Sequence, residues 1–277
     1  MTGGARGSGG AAPARSGSDL PVRIASAAVL AIVALIGAIV GGWVAAIVLG
    51  IATAIVHLEW ASLTDRSPWP TAVFTAGLVI ALAMITLGFV DGGLIIIGLA
   101  VAAAALTIDL WRPIGVAYAA ILGAGLLLIR LAPDGLVGVL LILAVVWATD
   151  TGAYVVGKLV GGAKLWPAVS PGKTWAGAIG GLAAGVVGGL LVAAFLGAAP
   201  GVQLAVVIAG LSLAAQAGDL FESWIKRRFG AKDSSQLVPG HGGLMDRVDG
   251  LVFATGFALL VGWMHAGSNL ATGLVAW

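Results

Sequence analysis

The sequence predicts an all-α, polytopic membrane protein with about nine transmembrane helices. Of its 277 residues, 60% are hydrophobic and 9% are charged, whereas soluble domains average about a quarter charged residues. Apolar runs of roughly 17–25 residues recur, and each is long enough to cross the ~30 Å hydrocarbon core as a helix. The 44 glycines fit this class, because small residues let membrane helices approach closely.

The predicted spans are separated by short breaks whose residues commonly end helices. Such breaks include Pro133 to Gly135 and Pro200 with Gly201. The first two spans have only Gly41 and Gly42 between them. We place the nine spans at residues 24–40, 43–63, 70–89, 92–109, 113–130, 135–157, 174–198, 202–225 and 248–266.

Basic residues predict the orientation of the bundle. With the N-terminus in the cytoplasm, nine spans place every Lys and Arg except Arg130 on the cytoplasmic side, as the positive-inside rule requires. The C-terminus is then outside. The two longest polar loops, 158–173 and 226–247, share the cytoplasmic face.

Acidic residues are concentrated between Gly218 and Gly250. Asp219 and Glu222 near the end of the eighth span, like Asp246 and Asp249 at the start of the ninth, are spaced i, i+3. This spacing puts both carboxylates of a pair on one helical face. Two such pairs on neighbouring helix ends can supply oxygen ligands to Mg²⁺. Thiolate ligands and disulfides are excluded, because the chain contains no cysteine.

Basic residues of the same segment can neutralise phosphate oxygens. The candidates are Lys226, Arg227, Lys232 and Arg247. Gly242 and Gly243 beside His241 allow the backbone to approach a ligand. Topology signalling or lipid-headgroup contact is the alternative for basic residues beside a membrane helix, and it stays open for Arg227. Composition and spacing therefore predict an anionic, phosphorylated ligand bound with a divalent metal on the cytoplasmic face.

Three sequence blocks extend this prediction. The longest is Ser223-x-x-Lys226-Arg227-x4-Lys232-Asp233-x5-Pro239-Gly240-His241-Gly242-Gly243-x2-Asp246-Arg247-x-Asp249. The others are Asp150-Thr151-Gly152-Ala153-Tyr154-x-x-Gly157 and Ser170-Pro171-Gly172-Lys173-Thr174-Trp175-x-Gly177. Together they resemble the phosphatidate cytidylyltransferase family, also called CDP-diacylglycerol synthases. The resemblance is specific across roughly 150–250, and upstream it rests on hydropathy and span number.

The resemblance implies an enzyme of phospholipid biosynthesis that transfers the cytidylyl group of CTP to phosphatidic acid and releases pyrophosphate. The catalytic residues it implies are Asp219, Asp246, Lys226, Lys232, His241 and Arg247. The substrate-binding residues are Ser170, Lys173, Thr174, Ser223, Arg227, Gly242 and Gly243. Asp219 and Asp246 are expected as the principal metal ligands, with support from Asp249, Asp150 and Glu222.

The resemblance also implies a cofactor, partners and a location. The cofactor is Mg²⁺, with a second cation such as K⁺, and the protein is expected to form a homodimer without a nucleic-acid partner. It is expected in a bacterial inner or plasma membrane, with its site facing the cytoplasm and the lipid entering between spans. We divide the chain into a disordered cytoplasmic tail at 1–20, N-terminal transmembrane helices at 21–149 and a catalytic transmembrane region at 150–277.

Other interpretations fit the sequence less well. A CTP-dependent lipid kinase lacks this C-terminal signature, and a transporter with an ion site would carry its acids nearer the midplane. A P-loop ending at Gly172 and Lys173 needs a glycine where Pro167 stands, and no strand is predicted before it. For His57 and Glu59 we predict packing or interfacial contact.

Overall fold

The computed structural model describes residues 19–64, 67–107, 109–199, 201–238 and 242–277. Within these ranges, a helix lies at each of the nine predicted span positions. Their bounds are α1 Asp19–Val40, α2 Gly42–Thr64, α3 Pro68–Thr86, α4 Val90–Ala105, α5 Trp111–Ala120 continued by α6 Leu126–Leu131, α7 Gly135–Val160, α8 Trp175–Phe195, α9 Val202–Arg228 and α10 Met245–Ala266. A short helix, α11 Leu270–Val275, follows.

Seven of the described helices are long and apolar enough to cross a membrane. The other two spans contain shorter apolar helices, Ile24–Val40 within α1 and Val90–Ala105 in α4. A π-helical turn, Ile121–Gly125, joins α5 to α6 within one continuous span. The prediction of a polytopic helical membrane protein is therefore confirmed.

The double glycine divides the first two spans as predicted. Gly41 and Gly42 have φ angles of 68° and 51°, which are left-handed values that glycine adopts at little cost. At the N-terminus, α1 begins at Asp19, so the last two residues of the predicted tail 1–20 belong to this helix. The rest of that tail lies outside the described residues.

The predicted loop 226–247 is shorter in the structure, because the helices on both sides continue into it. The last turn of α9 contains Lys226, Arg227 and Arg228. Basic side chains there interact favourably with the negative end of the helix dipole. Asp246 lies in the first turn of α10, where a carboxylate favours the positive end. The connecting segment is therefore residues 229–244.

A β-hairpin corrects the all-α prediction. Strand β1, Lys164–Trp166, pairs antiparallel with β2, Ser170–Thr174, inside the predicted loop 158–173. The hairpin continues to the start of α8, where the Trp175 N–H donates to the Ala163 carbonyl at 3.0 Å. A strand does precede Lys173, contrary to the prediction, but Lys173 lies within the extended strand β2 rather than in a phosphate-binding loop.

Helix α8 packs closely on α7 through a row of glycines. These glycines are spaced four residues apart and are Gly177, Gly181, Gly185 and Gly189. A Cβ atom at Gly181 would lie 2.8 Å from the Thr149 carbonyl oxygen. Because small residues permit such backbone contact between membrane helices, this row fixes the hairpin that precedes α8 beside the end of α7.

Helices α9 and α10 also approach each other closely at two glycines, Gly218 and Gly250. A Cβ at Gly218 would lie 2.5 Å from the Asp249 carbonyl oxygen, and one at Gly250 would lie 3.1 Å from the Ala215 carbonyl oxygen. This contact lies next to Asp219 on α9 and includes the backbone of Asp249 on α10. It therefore brings the two predicted acid pairs together.

Candidate active site

Two connections that are distant in sequence meet at one end of the bundle. Arg227, in the last turn of α9, donates from Nε to the carbonyl of Val169 in the hairpin at 3.4 Å. Its Nη1 donates to the carbonyl of Ala231 at 3.1 Å. Arg227 therefore links Val169 of the hairpin to Ala231, near the start of the connection 229–244. The sequence predicts Arg227 as a substrate contact, and the structure places its guanidinium on these backbone carbonyls.

Lys173 and Asp219 form an ion pair between the hairpin and α9. The Lys173 Nζ lies 2.5 Å from Asp219 Oδ2, and both side chains keep partial exposure, at 26% and 36%. The Ser223 hydroxyl, one turn further along α9, donates to Asp219 Oδ1 at 3.5 Å. Predicted residues from two separate sequence blocks thus share one accessible site.

Two further carboxylates, from two other helices, lie near this pair. Asp150 on α7 and Asp249 on α10 each lie within electrostatic range of Asp219 and of Lys173. Arg247 also lies within electrostatic range of Asp150. Because like charges this close repel one another, the group favours a cation or a bound basic side chain.

Lys226 holds a second group of acids. Its Nζ lies 2.6 Å from Glu222 Oε2 and 3.0 Å from Asp246 Oδ1. Glu222 is buried and the other two side chains are largely buried, with exposed fractions of 12%, 2% and 5% for Lys226, Glu222 and Asp246. The sequence predicts Lys226 as a phosphate ligand, whereas in the structure its ammonium joins α9 to α10.

Asp246 anchors the segment that connects these helices. Its carboxylate accepts hydrogen bonds from the backbone N–H groups of Ser234, at 3.1 Å to each oxygen, and Gly243, at 2.9 Å. Gly242 has a φ angle of 84°, and a Cβ there would lie 2.5 Å from Asp246 Oδ2. The close approach of this carboxylate, together with the left-handed backbone, requires glycine at position 242.

The carboxylate of Glu59, on α2, binds the same segment. Its Oε1 accepts from the Ser235 hydroxyl at 2.6 Å and the Leu244 N–H at 3.0 Å. Its Oε2 accepts from the Met245 N–H at 2.6 Å and, over a longer 3.4 Å, from the Ser234 hydroxyl. Glu59 is only 5% exposed. It therefore links the N-terminal half of the bundle to the start of α10.

Other predicted residues lie at the edge of this cluster. Lys232 is exposed and forms no ion pair with any residue that the structure describes. Ser170 is half-buried at the start of β2. The buried Thr174 hydroxyl accepts a hydrogen bond from the Gly177 N–H at 3.0 Å and so caps α8. His241 lies outside the described residues.

The side chains of this cluster carry oxygen donors of the kind that a hard cation such as Mg²⁺ prefers. Asp150, Asp219 and Asp249 supply carboxylate oxygens, and Glu222 Oε1 is a buried oxygen with no hydrogen-bond partner among the described residues. Within that part of the chain, no three acidic or histidine side chains are arranged so as to hold a metal ion. Because Asp219 is paired with Lys173, a cation bound at Asp219 would compete with this ion pair.

Sequence reasoning missed two buried polar residues near the site. Glu59 contacts the signature segment, although its own sequence neighbourhood predicts only packing. Tyr118 is 4% exposed, its hydroxyl has no hydrogen-bond partner among the described residues, and it lies within electrostatic range of Glu222 and Asp249. The available signal was the cost of a polar group inside a span, which makes an intramembrane carboxylate a functional candidate.

For His57 the packing prediction is confirmed, because its Nδ1 lies 2.7 Å from the Thr75 hydroxyl.

An apolar cavity of about 310 Å³ extends from the charged cluster between α1, α2, α7 and α10. Arg247 and Leu244 are part of its lining, and so is Arg130 near the opposite end of the bundle. On α1 its lining runs from Ala27 to Ala38, which corresponds to roughly 16 Å of helix. A polar site and an apolar cavity therefore share Arg247.

The fold and this site define a class of protein: a polytopic helical membrane protein with a charged cluster beside an apolar cavity. Comparison with known proteins narrows the class. Residues 21–265 match the model of the cytidylyltransferase family. The chain therefore belongs to the cytidylyltransferase family.

Individual relatives agree with this family. The chain is 41% identical to the phosphatidate cytidylyltransferase of Brucella suis biovar 1 (strain 1330) over 262 residues, which cover 90% of this chain and 95% of the relative. The Brucella abortus biovar 1 (strain 9-941) protein of the same name matches to the same extent. The phosphatidate cytidylyltransferase of Staphylococcus saprophyticus is 46% identical over 121 residues, 43% of this chain and 46% of the relative.

Proposed function

We propose that the protein transfers the cytidylyl group of CTP to phosphatidic acid. A phosphate oxygen of phosphatidic acid attacks the α-phosphorus of CTP, the bond from that phosphorus to the β-phosphate breaks, and pyrophosphate leaves with CDP-diacylglycerol as the product. The attacking phosphate monoester is already anionic near neutral pH, so no strong general base is required. Catalysis then depends on positioning two polyanions and stabilising the charge of the leaving group.

One observation carries this proposal, namely that a charged cluster adjoins an apolar cavity at Arg247. A substrate that combines a phosphate with acyl chains needs both surfaces, and a nucleotide alone needs only the first. The names of the relatives support the same pair of substrates.

The structure supports a division of work among the basic residues. Arg247 lines the cavity and is therefore proposed to hold the phosphate of the lipid. Lys173 and the exposed Lys232 are proposed to hold the triphosphate of CTP. Lys226, which is buried between two carboxylates, is proposed to keep α9 and α10 in place. The hydroxyls of Ser170 and Ser223 remain predicted substrate contacts.

Asp219 is the proposed centre of a Mg²⁺ site. Asp249 and Asp150 would hold the ion with it, and Asp246 and Glu222 would support it from the side of Lys226. When bound, Mg²⁺ would stabilise the negative charge of the triphosphate and of the leaving pyrophosphate. A second cation such as K⁺ remains a prediction.

The remaining proposals concern the membrane. All nine predicted helices are proposed to cross the bilayer of a bacterial inner membrane, with the N-terminus and the active site in the cytoplasm and the C-terminus outside. The distribution of Lys and Arg supports this orientation. The lipid is proposed to reach Arg247 sideways, through the apolar cavity, and the protein is proposed to act as a homodimer.

Pyrophosphate release by the purified protein in detergent, with CTP, phosphatidic acid and Mg²⁺, tests the reaction. We expect release that depends on the lipid and collapses in Asp246→Asn. Because Asp246 also anchors the 229–244 segment, Asp219→Asn is measured beside it. Release of CDP instead of pyrophosphate would indicate a lipid kinase, and no turnover of CTP by folded protein would overturn the proposal.

A further inference from the structure

Glu59 binds two separate parts of the connection between α9 and α10. Ser234 and Ser235 lie within the 229–244 connection, whereas Leu244 and Met245 lie where it enters α10. All four donate to the Glu59 carboxylate. Because the first N–H groups of a helix have no partner within the helix, the carboxylate also satisfies donors at the positive end of α10.

Glu59 and Asp246 hold this connection from opposite sides. Ser234 donates its N–H to Asp246 and its hydroxyl to Glu59. Gly243 donates its N–H to Asp246, and a Cβ at Gly243 would lie 2.7 Å from Glu59 Oε1. Two carboxylates thus bind the same part of the chain, and the loss of Glu59 would remove the contacts of one of them.

The buried environment of Glu59 makes these hydrogen bonds strong. The side chain is 5% exposed, and hydrogen bonds to a charged acceptor are shorter and stronger than neutral ones. The contacts join residues separated by 175 to 186 positions. They therefore set where the connection lies relative to the N-terminal half of the bundle.

We propose that Glu59 is a positioning residue for the cytidylyl transfer. By fixing the 229–244 connection, it sets the orientation of the start of α10, and with it Asp246 and Arg247, and the location of Lys232. Glu59 acts through these residues and does not touch the substrates. This inference rests on the proposed function for its kinetic consequence, but its structural part stands independently.

Glu59→Gln is the test variant, because it keeps the shape of the side chain and replaces one acceptor oxygen with an NH₂ donor. That donor would face N–H and O–H donors of the connection. We expect kcat/KM for CTP to fall about 100-fold, as small misplacements of catalytic groups can cause. Glu59→Asp keeps two acceptor oxygens on a shorter side chain, and it should restore part of this loss.

Hydrogen exchange provides a readout that does not depend on activity. In Glu59→Gln, amides between 231 and 245 should exchange faster, while those of α7 and α8 exchange as in the unmodified protein. His57→Asn is the matched control, because His57 is a buried polar residue two positions earlier on α2 that contacts Thr75 instead of the connection. It should leave both the kinetics and this exchange pattern unchanged.

The outcomes are distinct. Unchanged kinetics and unchanged exchange in folded Glu59→Gln would overturn the inference. Equal losses in Glu59→Gln and His57→Asn, in proportion to lower melting temperatures, would also overturn it, because they would show only general destabilisation. If the unmodified protein releases no pyrophosphate, the proposed function fails, and the exchange experiment still decides whether Glu59 holds the connection.

Discussion

Lys226 is a basic residue of the signature whose contacts in the structure are with other side chains of the protein. Its observed role is therefore to hold two helices together. Its ammonium lies between Glu222, which is buried, and Asp246, and all three side chains have little exposure. A buried charge without a partner is costly, so removing one member of such a group destabilises more than removing an exposed charge. The spacing of Lys226 next to Arg227 in the sequence does not distinguish these two roles.

Lys226→Met should therefore lower the stability of the folded protein by about 3–5 kcal/mol, because it leaves two buried carboxylates without their cation. Thermal unfolding in detergent measures the effect as a lower melting temperature. Lys232→Met is the matched control, since Lys232 is exposed. It should melt like the unmodified protein and raise the KM for CTP. Equal melting temperatures for both variants would contradict the structural role of Lys226.

Asp219→Asn should raise the Mg²⁺ concentration needed for half-maximal pyrophosphate release, because it removes a charged oxygen ligand from the proposed site. Titration of activity with Mg²⁺ measures this shift. Asp91→Asn serves as the control, since Asp91 lies in the first turn of α4, away from the cluster. An unchanged Mg²⁺ requirement in Asp219→Asn would remove Asp219 from the ligand set.

At the scale of elements, the glycine row of α8 determines how close the hairpin and α7 can lie. Gly181→Ala would place a Cβ against the Thr149 carbonyl oxygen and the Ala153 side chain. Because a helix backbone cannot move aside easily to relieve this steric clash, we expect a loss of about 1–3 kcal/mol in stability and lower activity. Gly77→Ala in α3 meets no atom within 4 Å and should be neutral or stabilising by up to about 1 kcal/mol. Similar melting temperatures for the two variants would show that α7 and α8 adjust freely.

Thr174 offers a second test at this scale. Its hydroxyl caps α8, although the family resemblance implies substrate binding. Thr174→Ala should lower stability by about 1 kcal/mol, which is typical for the loss of a cap, with the KM for CTP unchanged. Thr174→Ser, which keeps the hydroxyl, should restore most of the stability. A higher KM at unchanged stability would instead assign Thr174 to the substrate.

At the scale of the whole molecule, the fold brings the two polar connections to one end of the helical bundle. The contact of Arg227 with Val169 and the ion pair of Lys173 with Asp219 require this arrangement. The proposed cytoplasmic orientation of that end is supported by the positions of Lys and Arg along the chain.

Cysteine labelling tests the orientation directly, because the natural chain contains no cysteine. Lys164→Cys in the hairpin and Ser268→Cys after α10 both introduce the thiol at exposed positions. In intact cells, a membrane-impermeant maleimide should label Ser268→Cys and leave Lys164→Cys unlabelled. In inverted membrane vesicles the pattern should reverse. Labelling of both from one side would contradict the three spans, α8, α9 and α10, that separate these positions.

The sequence by itself determined the class of the protein and the positions of its apolar helices. Each span is a local property, because some twenty apolar residues must form a helix to cross a bilayer. Gly41 and Gly42 likewise act locally, through the left-handed backbone that they permit. The signature residues identified the reaction because their order and spacing are specific, whichever way their side chains point.

Tertiary structure alone decided which side chains meet. Glu59 binds donors that lie 175 or more positions further along the chain, and Lys173 in the hairpin pairs with Asp219 on α9. No local pattern encodes such contacts, since they depend on how closely glycines such as Gly181 and Gly218 let the helices pack. For the same reason the sequence could name Lys226 and Thr174 as site residues but could not show that one joins two helices and the other caps a third.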